Sequence, residues 1–279
     1  MRMEIGKTNK LTVARNSDFG FYLIDDDKNE VLLPNSYVSE DLKIADDIEV
    51  FIYKDSENRI IATNLKPFIQ LGEFAVLQAK DVNEYGAFMD WGLAKDLFVP
   101  FGEQTKKMEA GNWYLIYLLL DEETNRLIGS NKVKKFLHFD EIDVKQNDQV
   151  DLLLFDRTEL GINAIVNNKY KGLIFNSDIH KNIQAGDKMS GFIKQVREDG
   201  KIDLSLEPIG YKNSIDINSE IIISALKNNN GLLELTDKSS PENIKYILGL
   251  SKKAFKKALG NLYKNKIVEL HKNEIKLIK

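Results

Sequence analysis

The chain has 279 residues, 43% of them hydrophobic, a formal net charge of −4 and no cysteine. This length suits two to four domains with modest cores, and the lack of cysteine excludes disulfides, thiolate nucleophiles and cysteine-based zinc sites. The longest apolar stretch, residues 113–120, is too short to span a bilayer, and the N-terminal segment lacks the apolar run of a signal peptide. We therefore expect a soluble, cytoplasmic protein with no membrane contact.

One spacing occurs three times between residues 10 and 208. In each case a glycine precedes the last residue of a short apolar run by fourteen positions. The three pairs are Gly20 with Pro34, Gly86 with Pro100, and Gly161 with Phe175. Basic residues follow these glycines by 39, 40 and 40 positions, at Arg59, Arg126 and Lys201. Repetition at fixed spacing predicts tandem structural units, here of about 65 to 75 residues.

Each repeat contains five short segments that are rich in β-branched and aromatic residues and are separated by turn residues, which is typical of strands. A crossover without strand pattern separates the third segment from the fourth, and this arrangement predicts a Greek-key barrel of the OB type. We expect some helical character in the polar connector 131–146. The predicted fold class is mainly β with an α+β C-terminal domain, and the predicted domains are 1–66, 67–145 and 146–210 for the three barrels and 211–279 for the last domain.

The last segment differs in charge and in periodicity. Residues 211–279 contain 13 lysines, no arginine and 7 acidic residues, so they carry +6 while the preceding residues carry −10. Residues 218–227 have helical periodicity, and Ser240 and Ser251 are placed as N-caps of two further helices. Apolar residues recur at helical spacing between 254 and 262, and two short apolar segments after residue 267 predict a hairpin. Three helices followed by a hairpin predict a winged helix.

The motifs carry a family resemblance. Segments 19–22 and 85–88 resemble the aromatic-glycine-x-aromatic motif of the S1 domain, an RNA-binding repeat with an OB fold, and segments 171–177 and 200–206 are similar to later parts of that domain. Three S1-like units followed by a winged helix, with the lysine-rich stretch 251–264, resemble the bacterial family known as conserved virulence factor B. This resemblance implies an RNA-binding protein that influences gene expression after transcription.

An OB barrel binds single strands on its second and third strands, where aromatic rings stack on bases. Aromatic residues three positions apart point to opposite faces of a regular strand, so both rings of a pair contact one ligand only if the strand bends or bulges at Gly20 or Gly86. Otherwise one ring of each pair belongs to the barrel core. The predicted RNA-binding residues are Phe19, Tyr22, Arg59, Tyr85, Phe88, Arg126, Lys169, Lys171, Phe175 and Lys201.

Several of these residues are assigned through the resemblance. Arg59, Arg126 and Lys201 match a position that is often basic in S1 domains, where they either meet phosphate or remain solvated turn cations. Phe175 lies where S1 domains commonly carry a histidine beside the ligand. Lys169 and Lys171 flank Tyr170, which predicts a basic and aromatic cluster in the third unit.

The densest basic patch lies in the winged helix, at Lys252, Lys253, Lys256 and Lys257. These lysines either contact a nucleic-acid backbone or keep an amphipathic helix soluble. Lysine without arginine favours attraction to phosphate over bidentate reading of bases.

No catalytic motif, cofactor site or metal site is predicted, because the three histidines lie in different units and no phosphate loop occurs. Scattered carboxylates leave open a nuclease site assembled in three dimensions. The leading hypothesis is a non-enzymatic regulator that binds single-stranded RNA on its barrels, with help from a winged helix that also offers a contact to DNA. The alternatives are a DNA-binding transcription regulator and a ribosome- or polymerase-associated module whose acidic barrels contact protein.

Overall fold

The computed structural model describes residues 2–39, 41–139, 141–208 and 217–278. The chain forms two compact units, Met1–Leu206 and Glu207–Lys279. The first unit contains three successive five-stranded β-structures, and the second contains the helices. The predicted fold class is therefore confirmed, while the predicted boundary between residues 210 and 211 lies outside the described residues.

The first β-structure is a closed barrel. Its strands are β1 (Thr8–Ser17), β2 (Gly20–Ile24), β3 (Glu30–Pro34), β4 (Asp47–Lys54) and β5 (Ile60–Thr63). They close in the order β1-β2-β3-β5-β4, with β3 parallel to β5 and the other neighbours antiparallel. Alternate side chains point inward along each strand, so Leu11 and Val13 of β1 meet Leu23 of β2 in the core.

The second β-structure keeps this strand order without closing. Its strands are β6 (Phe74–Val82), β7 (Gly86–Asp90), β8 (Leu97–Pro100), β9 (Trp113–Asp121) and β10 (Arg126–Ser130). The sheet order is β10-β9-β6-β7-β8, and β8 and β10 are not hydrogen-bonded to each other. A Cβ built on Gly129 of β10 would lie 2.8 Å from Val99 of β8. The two edges of the second β-structure therefore meet through side chains and not through a hydrogen-bonded ladder.

The third β-structure is again a closed barrel. Its strands are β11 (Gln149–Arg157), β12 (Gly161–Val166), β13 (Tyr170–Phe175), β14 (Lys188–Val196) and β15 (Ile202–Ser205), in the order β11-β12-β13-β15-β14. The connector before it contains one short 3-10 turn, Val133–Lys135, as its only described helical element. Backbone and side-chain hydrogen bonds fix this connector instead, beginning with Asn131 N, which donates to Glu103 O at 2.8 Å.

The repeated fourteen-residue spacing has a geometric cause. Gly20 pairs directly with Pro34 across the β2–β3 hairpin, and the other two glycines pair in the same register. A Cβ on the three glycines would lie 2.1, 2.3 and 1.9 Å from the backbone oxygens of Leu33, Val99 and Ile174, respectively. Since no other residue tolerates so close an approach, glycine is required at this point of each hairpin.

Aromatic contacts join the first and second β-structures. Trp91 lies edge-on to Phe51 and to Tyr53, with ring centroids 5.8 and 6.2 Å apart. All three side chains are buried, and a fully buried side chain of this size contributes about 1.5–3 kcal/mol. The core of the second β-structure thus extends into the first.

A separate apolar cluster joins the second and third β-structures. Tyr117 of β9 stacks on Phe136 of the connector, with ring centroids 4.0 Å apart. Leu153 and Ile165 of the third barrel are buried in the same cluster as Phe74 of β6. These contacts hold the three β-structures as one unit.

The C-terminal unit has the predicted three helices and hairpin. Its elements are α1 (Ile217–Asn228), β16 (Leu232–Leu233), α2 (Pro241–Leu248), α3 (Lys252–Lys264), β17 (Val268–Leu270) and β18 (Ile275–Leu277), and the sheet order is β16-β18-β17. Ser240 Oγ and Ser251 Oγ each accept a hydrogen bond at 3.2 Å from the backbone amide three residues on, which confirms both predicted caps. The two-residue strand β16 was not predicted.

Candidate nucleic-acid interface

The residues before the three repeated glycines occupy equivalent exposed positions. Phe19, Tyr85 and Leu160 are 73%, 66% and 66% exposed. Each carbonyl oxygen accepts a hydrogen bond from the first residue of the 3-10 turn after the third strand, from Asn35 at 3.0 Å, Phe101 at 3.4 Å and Asn176 at 3.0 Å. The backbone thus offers the same position three times, and the sequence places an aromatic ring there in the first two units only.

Tyr22 and Phe88, the second rings of the two pairs, are half-buried on the outer face of their strands. Leu23 of β2 and Met89 of β7 are buried in the cores, and neighbouring strand residues point to opposite sides. Since Phe19 and Tyr85 precede their strands and are exposed, neither ring of either pair belongs to a core. The alternative in which one ring of each pair is a core residue is therefore wrong.

Each unit has a register shift, but it lies in the first strand and not at the glycine. Register shifts occur in the first strand of each unit, between Val13 and Arg15, between Ala79 and Asp81, and between Leu154 and Asp156. No shift occurs at Gly20 or Gly86 in the pairing of β2 or β7. The condition of a bulge at the glycines is therefore not met, and it is not needed, because the first ring of each pair lies in the turn before the strand, where strand alternation does not apply.

The two outer rings differ in their surroundings. The Arg15 guanidinium lies 3.6 Å from the centroid of the Tyr22 ring and forms an ion pair with Glu30 at 2.7 Å. Hydrogen bonding to Arg15 lowers the pKa of Glu30. One face of Tyr22 is thus already covered, whereas Phe88 is adjacent to Phe98, another half-buried ring, at a centroid distance of 5.2 Å.

Tyr85 and Phe88 line a cleft of about 430 Å³ on the second β-structure, at its junction with the first. We call it the Tyr85 cleft. Besides the buried rings of Tyr53 and Trp91, its lining contains three outward rings and three cations, namely Tyr85, Phe88, Phe98, Lys54, Lys95 and Arg126. Of the ten predicted RNA-binding residues, the structure brings Tyr85, Phe88 and Arg126 together here. Phe19, Tyr22 and Arg59 do not line the cleft.

The cations of the Tyr85 cleft are close enough to affect one another. Lys95 Nζ donates to the backbone oxygens of Lys54 at 3.1 Å and Asp55 at 2.7 Å. Burial lowers the pKa of Lys95, and the neighbouring charge of Arg126 lowers it further. Arg126 itself donates from Nε to Asn58 Oδ1 at 3.2 Å. Since like charges oppose one another here, an anion in the cleft would stabilise them.

Arg59 and Lys201, the other two basic residues of the repeat, are exposed turn cations with acidic neighbours. Arg59 forms ion pairs with Asp55 at 2.7 Å and Glu57 at 2.9 Å. Lys201 forms one with Asp199 at 2.6 Å. Of the three equivalent positions, Arg126 alone lines the Tyr85 cleft.

The third unit has a weaker aromatic surface. Leu160 replaces the first ring, and Asn163, which replaces the second, is buried and donates to Asp156 at 3.1 Å. Phe175 is half-buried, with the Arg197 guanidinium 5.7 Å from its ring centroid. In the third unit a ring and a cation are therefore adjacent at Phe175, but the exposed ring that the other two units carry is replaced by Leu160.

The predicted cluster around Tyr170 does not form on the surface. Tyr170 is 3% exposed, because strand alternation turns its ring into the core of the third barrel. Lys169 forms an ion pair with Asp143 at 3.3 Å. Lys171 points instead toward Phe155, with its ammonium 5.8 Å from the ring centroid.

The predicted lysines of the C-terminal unit lie on the outer side of α3. Lys253, Lys256 and Lys257 are exposed and Lys252 is half-buried, while the opposite side of α3 is buried in the core. Helical spacing places Gly260 in the middle of this lysine face. A Cβ on Gly260 would meet no heavy atom within 4 Å in the part of the chain that the structure describes.

Sequence reasoning missed Phe98, Lys54 and Lys95 of the Tyr85 cleft. A signal existed for Phe98, because it lies between two apolar residues of a short strand and alternation turns it outward once its neighbours are inside. Lys54 and Lys95 belong to different repeats, so only the junction between β-structures brings them together.

Among the described residues, no group of three or more histidine or acidic side chains is arranged to hold a metal ion. No helix in the described ranges is long and apolar enough to cross a membrane.

Comparisons with known proteins identify the families of the first β-structure and of the C-terminal unit. Residues 5–65 match the S1 domain family, and residues 220–277 match the CvfB-like winged helix domain family. The chain is 29% identical to the Bacillus subtilis protein YitL, over 94% of this chain and 90% of that protein. It is 28% identical to conserved virulence factor B of Staphylococcus epidermidis, over 92% and 90% of the two chains.

A solved structure also aligns with the chain. It is the crystal structure of a multidomain protein with nucleic acid binding domains from Streptococcus pneumoniae, 22% identical, with a TM-score of 0.39 and 98% of each chain covered. The family matches and the curated relatives confirm the resemblance to conserved virulence factor B that the sequence indicated.

Proposed function

Because this chain is a relative of the conserved virulence factor B proteins, with an S1 domain and a winged helix domain of their kind, we propose that it binds single-stranded RNA and acts on gene expression after transcription. No catalytic role is part of the proposal. In this proposal the Tyr85 cleft is the main binding site for the RNA.

The observation that carries this proposal is the composition of the Tyr85 cleft. It combines an exposed ring, Tyr85, and two adjacent outward rings, Phe88 and Phe98, with three cations in the same lining. Stacking of a base on such a ring contributes about 1–3 kcal/mol and does not depend on the identity of the base. The cleft therefore suits RNA of varied sequence.

The cations supply the attraction to phosphate. Lys54, Lys95 and Arg126 line the same cleft, while Asp96, also in the lining, is neutralised by an ion pair with Lys80 at 2.9 Å. A phosphate near Lys95 would return its lowered pKa toward the ordinary value of a lysine. Contacts of this kind make affinity fall as the salt concentration rises.

Single strands fit the cleft better than duplexes. In a duplex the faces of the bases are covered by their neighbours, so rings such as Tyr85 and Phe88 have nothing to stack on. We therefore expect tighter binding of single-stranded RNA than of duplex RNA or DNA.

The test is fluorescence anisotropy with a labelled single-stranded RNA of about 16 nucleotides. The full chain is compared with the Tyr85→Ala, Phe88→Ala double variant and with Phe139→Ala, a matched exposed phenylalanine that does not line the cleft. We expect the double variant to lose about 5- to 150-fold in affinity for each base that it no longer stacks, and Phe139→Ala to bind like the parent. Equal binding by all three proteins would refute the assignment to the cleft.

The lysine face of α3 favours a second contact, with the backbone of a nucleic-acid duplex. Replacing Lys253, Lys256 and Lys257 by alanine would then weaken binding of duplex DNA of any sequence and reduce its salt dependence by about 0.9 per lost phosphate contact. A DNA-binding regulator would instead show sequence-specific duplex binding that exceeds binding to single-stranded RNA. A protein-binding module would bind none of these nucleic acids at moderate salt.

A further inference from the structure

A second groove lies where the second β-structure adjoins the third. Its volume is about 580 Å³, and it shares no lining residue with the Tyr85 cleft. We call it the Trp113 groove. The residues that matter for its chemistry are Trp113, Tyr114, Phe155, Lys132, Lys134 and Lys135.

Trp113 is an unusual surface residue in this chain. The protein has two tryptophans, and the other, Trp91, is 3% exposed and donates from its indole nitrogen to Lys95 O. Trp113 is the first residue of β9 and is 64% exposed. It also borders a further recess of about 850 Å³ that contains Phe68, which is 56% exposed. Large exposed rings that border concave surfaces mark interaction sites.

The lysines of the groove come from the connector between the second and third β-structures. Lys134 is exposed. Lys132 donates to the backbone oxygen of Gly102, and Lys135 forms an ion pair with Glu103 at 3.2 Å. An ammonium group has three donors, so both retain the capacity to bind a further acceptor. The groove therefore contains three lysines, one of them paired with Glu103, within a set of barrels whose overall charge is negative.

The connector holds these lysines in place. Glu103 accepts a hydrogen bond from Ser130 Oγ as well as from Lys135, and Ser130 Oγ in turn accepts one from Lys132 N at 3.1 Å. Asn131 Nδ2 donates to Leu115 O at 2.9 Å. A side-chain network of this kind fixes the backbone of the connector, so the ligand does not have to order it on binding.

The third barrel adds a ring, Phe155, to the lining of the groove. Phe155 lies between Leu154 and Asp156, where the pairing of β11 with β12 shifts register, so it is the extra residue of a β-bulge. Bulges redirect a side chain relative to regular alternation. The Phe155 ring is half-buried, and Lys171 lies over it at 5.8 Å from the centroid.

From this arrangement we propose that the Trp113 groove is a second binding site for single-stranded RNA, in which Trp113 stacks a base and the lysines of the connector contact the adjacent phosphates. The inference rests on the proposed function and assigns it an additional surface. Lys171, which the sequence predicted to bind RNA, lies beside Phe155 and adds a cation next to this groove.

The charges of the groove favour a polyanion. Its charged lining residues are three lysines and one carboxylate, Asp156, which accepts a hydrogen bond from Asn163. Among the described residues, no arginine lines the groove. Lysine acts as a point charge that suits phosphate, whereas arginine is the usual partner for planar carboxylates. An exposed aromatic ring and lysines in one groove are the combination that sites for single-stranded nucleic acid use.

Two grooves in one compact unit would also strengthen binding of long strands. Once one segment of an RNA is held in the Tyr85 cleft, a second segment of the same strand reaches the Trp113 groove at high effective concentration. We therefore expect affinity to rise with RNA length more steeply than the number of nucleotides alone would give.

The test uses the exposed tryptophan as its own reporter. In the full chain, acrylamide quenches the fluorescence of exposed Trp113 far more than that of buried Trp91. We expect a single-stranded oligouridylate of about 16 nucleotides to protect Trp113 from quenching, and this protection to disappear in Trp113→Ala. In anisotropy experiments with the same RNA, Trp113→Ala should bind about 5- to 150-fold more weakly, and Trp113→Phe should restore part of the loss.

A charge variant provides an independent readout. Replacing Lys132, Lys134 and Lys135 by alanine should reduce the salt dependence of binding by about 0.7 for each lost phosphate contact. The matched control replaces Lys10, Lys28 and Lys43 of the first barrel, which are exposed and line neither site, and should leave the salt dependence unchanged.

The outcomes separate this inference from the proposed function. If RNA binds to the full chain and the Tyr85→Ala, Phe88→Ala variant weakens it, but acrylamide still reaches Trp113 equally, the inference is overturned and the groove is left to a protein partner. If the full chain binds no RNA, the proposed function fails together with the inference.

Discussion

Replacing Gly260 by alanine should stabilise the C-terminal unit and weaken its binding to nucleic acid. Gly260 lies inside α3, a helix of 13 residues, among the lysines of its exposed face. Glycine in a helix interior costs about 0.8–1.0 kcal/mol relative to alanine, so its presence at an exposed position is unfavourable for folding alone.

The structure sets the size of the effect. A Cβ at Gly260 would meet no heavy atom within 4 Å among the described residues, so the substitution adds no clash. The free energy of unfolding should therefore rise by the whole difference in helix propensity between alanine and glycine. A gain of about 1 kcal/mol raises the melting temperature of a unit of this size by roughly 4–8 °C. Differential scanning calorimetry of the full chain should show this shift in the transition of the C-terminal unit.

Binding should change in the opposite direction. If a nucleic-acid backbone approaches α3 at the lysine face, the added methyl group increases the distance between the helix and the phosphates. Anisotropy with duplex and single-stranded probes should then show weaker binding by Gly260→Ala, although the protein is more stable.

Gly249→Ala is the matched control. A Cβ at Gly249 also meets no described atom within 4 Å, but its φ of +67° is unfavourable for alanine, so this variant should be less stable than the parent. A lower melting temperature for Gly260→Ala would refute the reasoning, because it would show that the space beside Gly260 is occupied.

The remaining predictions concern the first unit. Gly161→Ala would place a Cβ 1.9 Å from Ile174 O and should destabilise the third barrel by about 1–3 kcal/mol or more in urea unfolding. Phe51→Ala removes a buried ring at the junction of the first and second β-structures and should cost about 3–5 kcal/mol in the same assay. Burial alone would raise the pKa of Glu103, but hydrogen bonds from Ser130 and Lys135 outweigh it and lower the pKa below the ordinary 4.5. The contribution of ionised Glu103 to the free energy of unfolding is therefore complete above pH 4.5 and is lost as the pH falls through the lowered pKa. Glu103→Gln should remove this contribution and flatten the acid side of the plot of unfolding free energy against pH.

Each of these predictions has a control within the chain. Gly102→Ala, where a Cβ meets no described atom within 4 Å, should be nearly neutral beside Gly161→Ala. Phe139→Ala removes an exposed ring and should cost far less than Phe51→Ala. Glu122→Gln, at an exposed turn, should leave the acid side of the profile unchanged. Equal effects of a variant and its control would contradict the corresponding prediction.

Much of the fold follows from local patterns. Strand alternation, turn residues and the fourteen-residue spacing predicted three OB-type units, since each glycine must face its partner across a hairpin where a Cβ does not fit. Ser240 and Ser251 marked two helix starts correctly, because N-caps act on amides only three residues away. The missing ladder between β8 and β10 had no such signal, because those strands are distant in sequence.

The candidate site was predictable only in part. Tyr85, Phe88 and Arg126 were found because they belong to a repeated motif, and the structure places them in one cleft. Tyr170 was misplaced because a residue at the start of a strand gives little indication of which face it occupies. Trp113 was not considered, since its exposure depends on how β9 meets the connector and the third barrel.

The sequence by itself determined the repeat, the strands of each unit and the rings that precede the three repeated glycines, because all of these depend on residues that are close along the chain. Tertiary structure alone decided that Lys54 and Lys95 join those rings and Arg126. Lys54 and Lys95 meet where Trp91 packs against Phe51, and the lysines of the connector meet Phe155 where the second and third β-structures share an apolar cluster. Such sites arise from packing between units, where the interacting residues share no spacing that a sequence pattern could reveal.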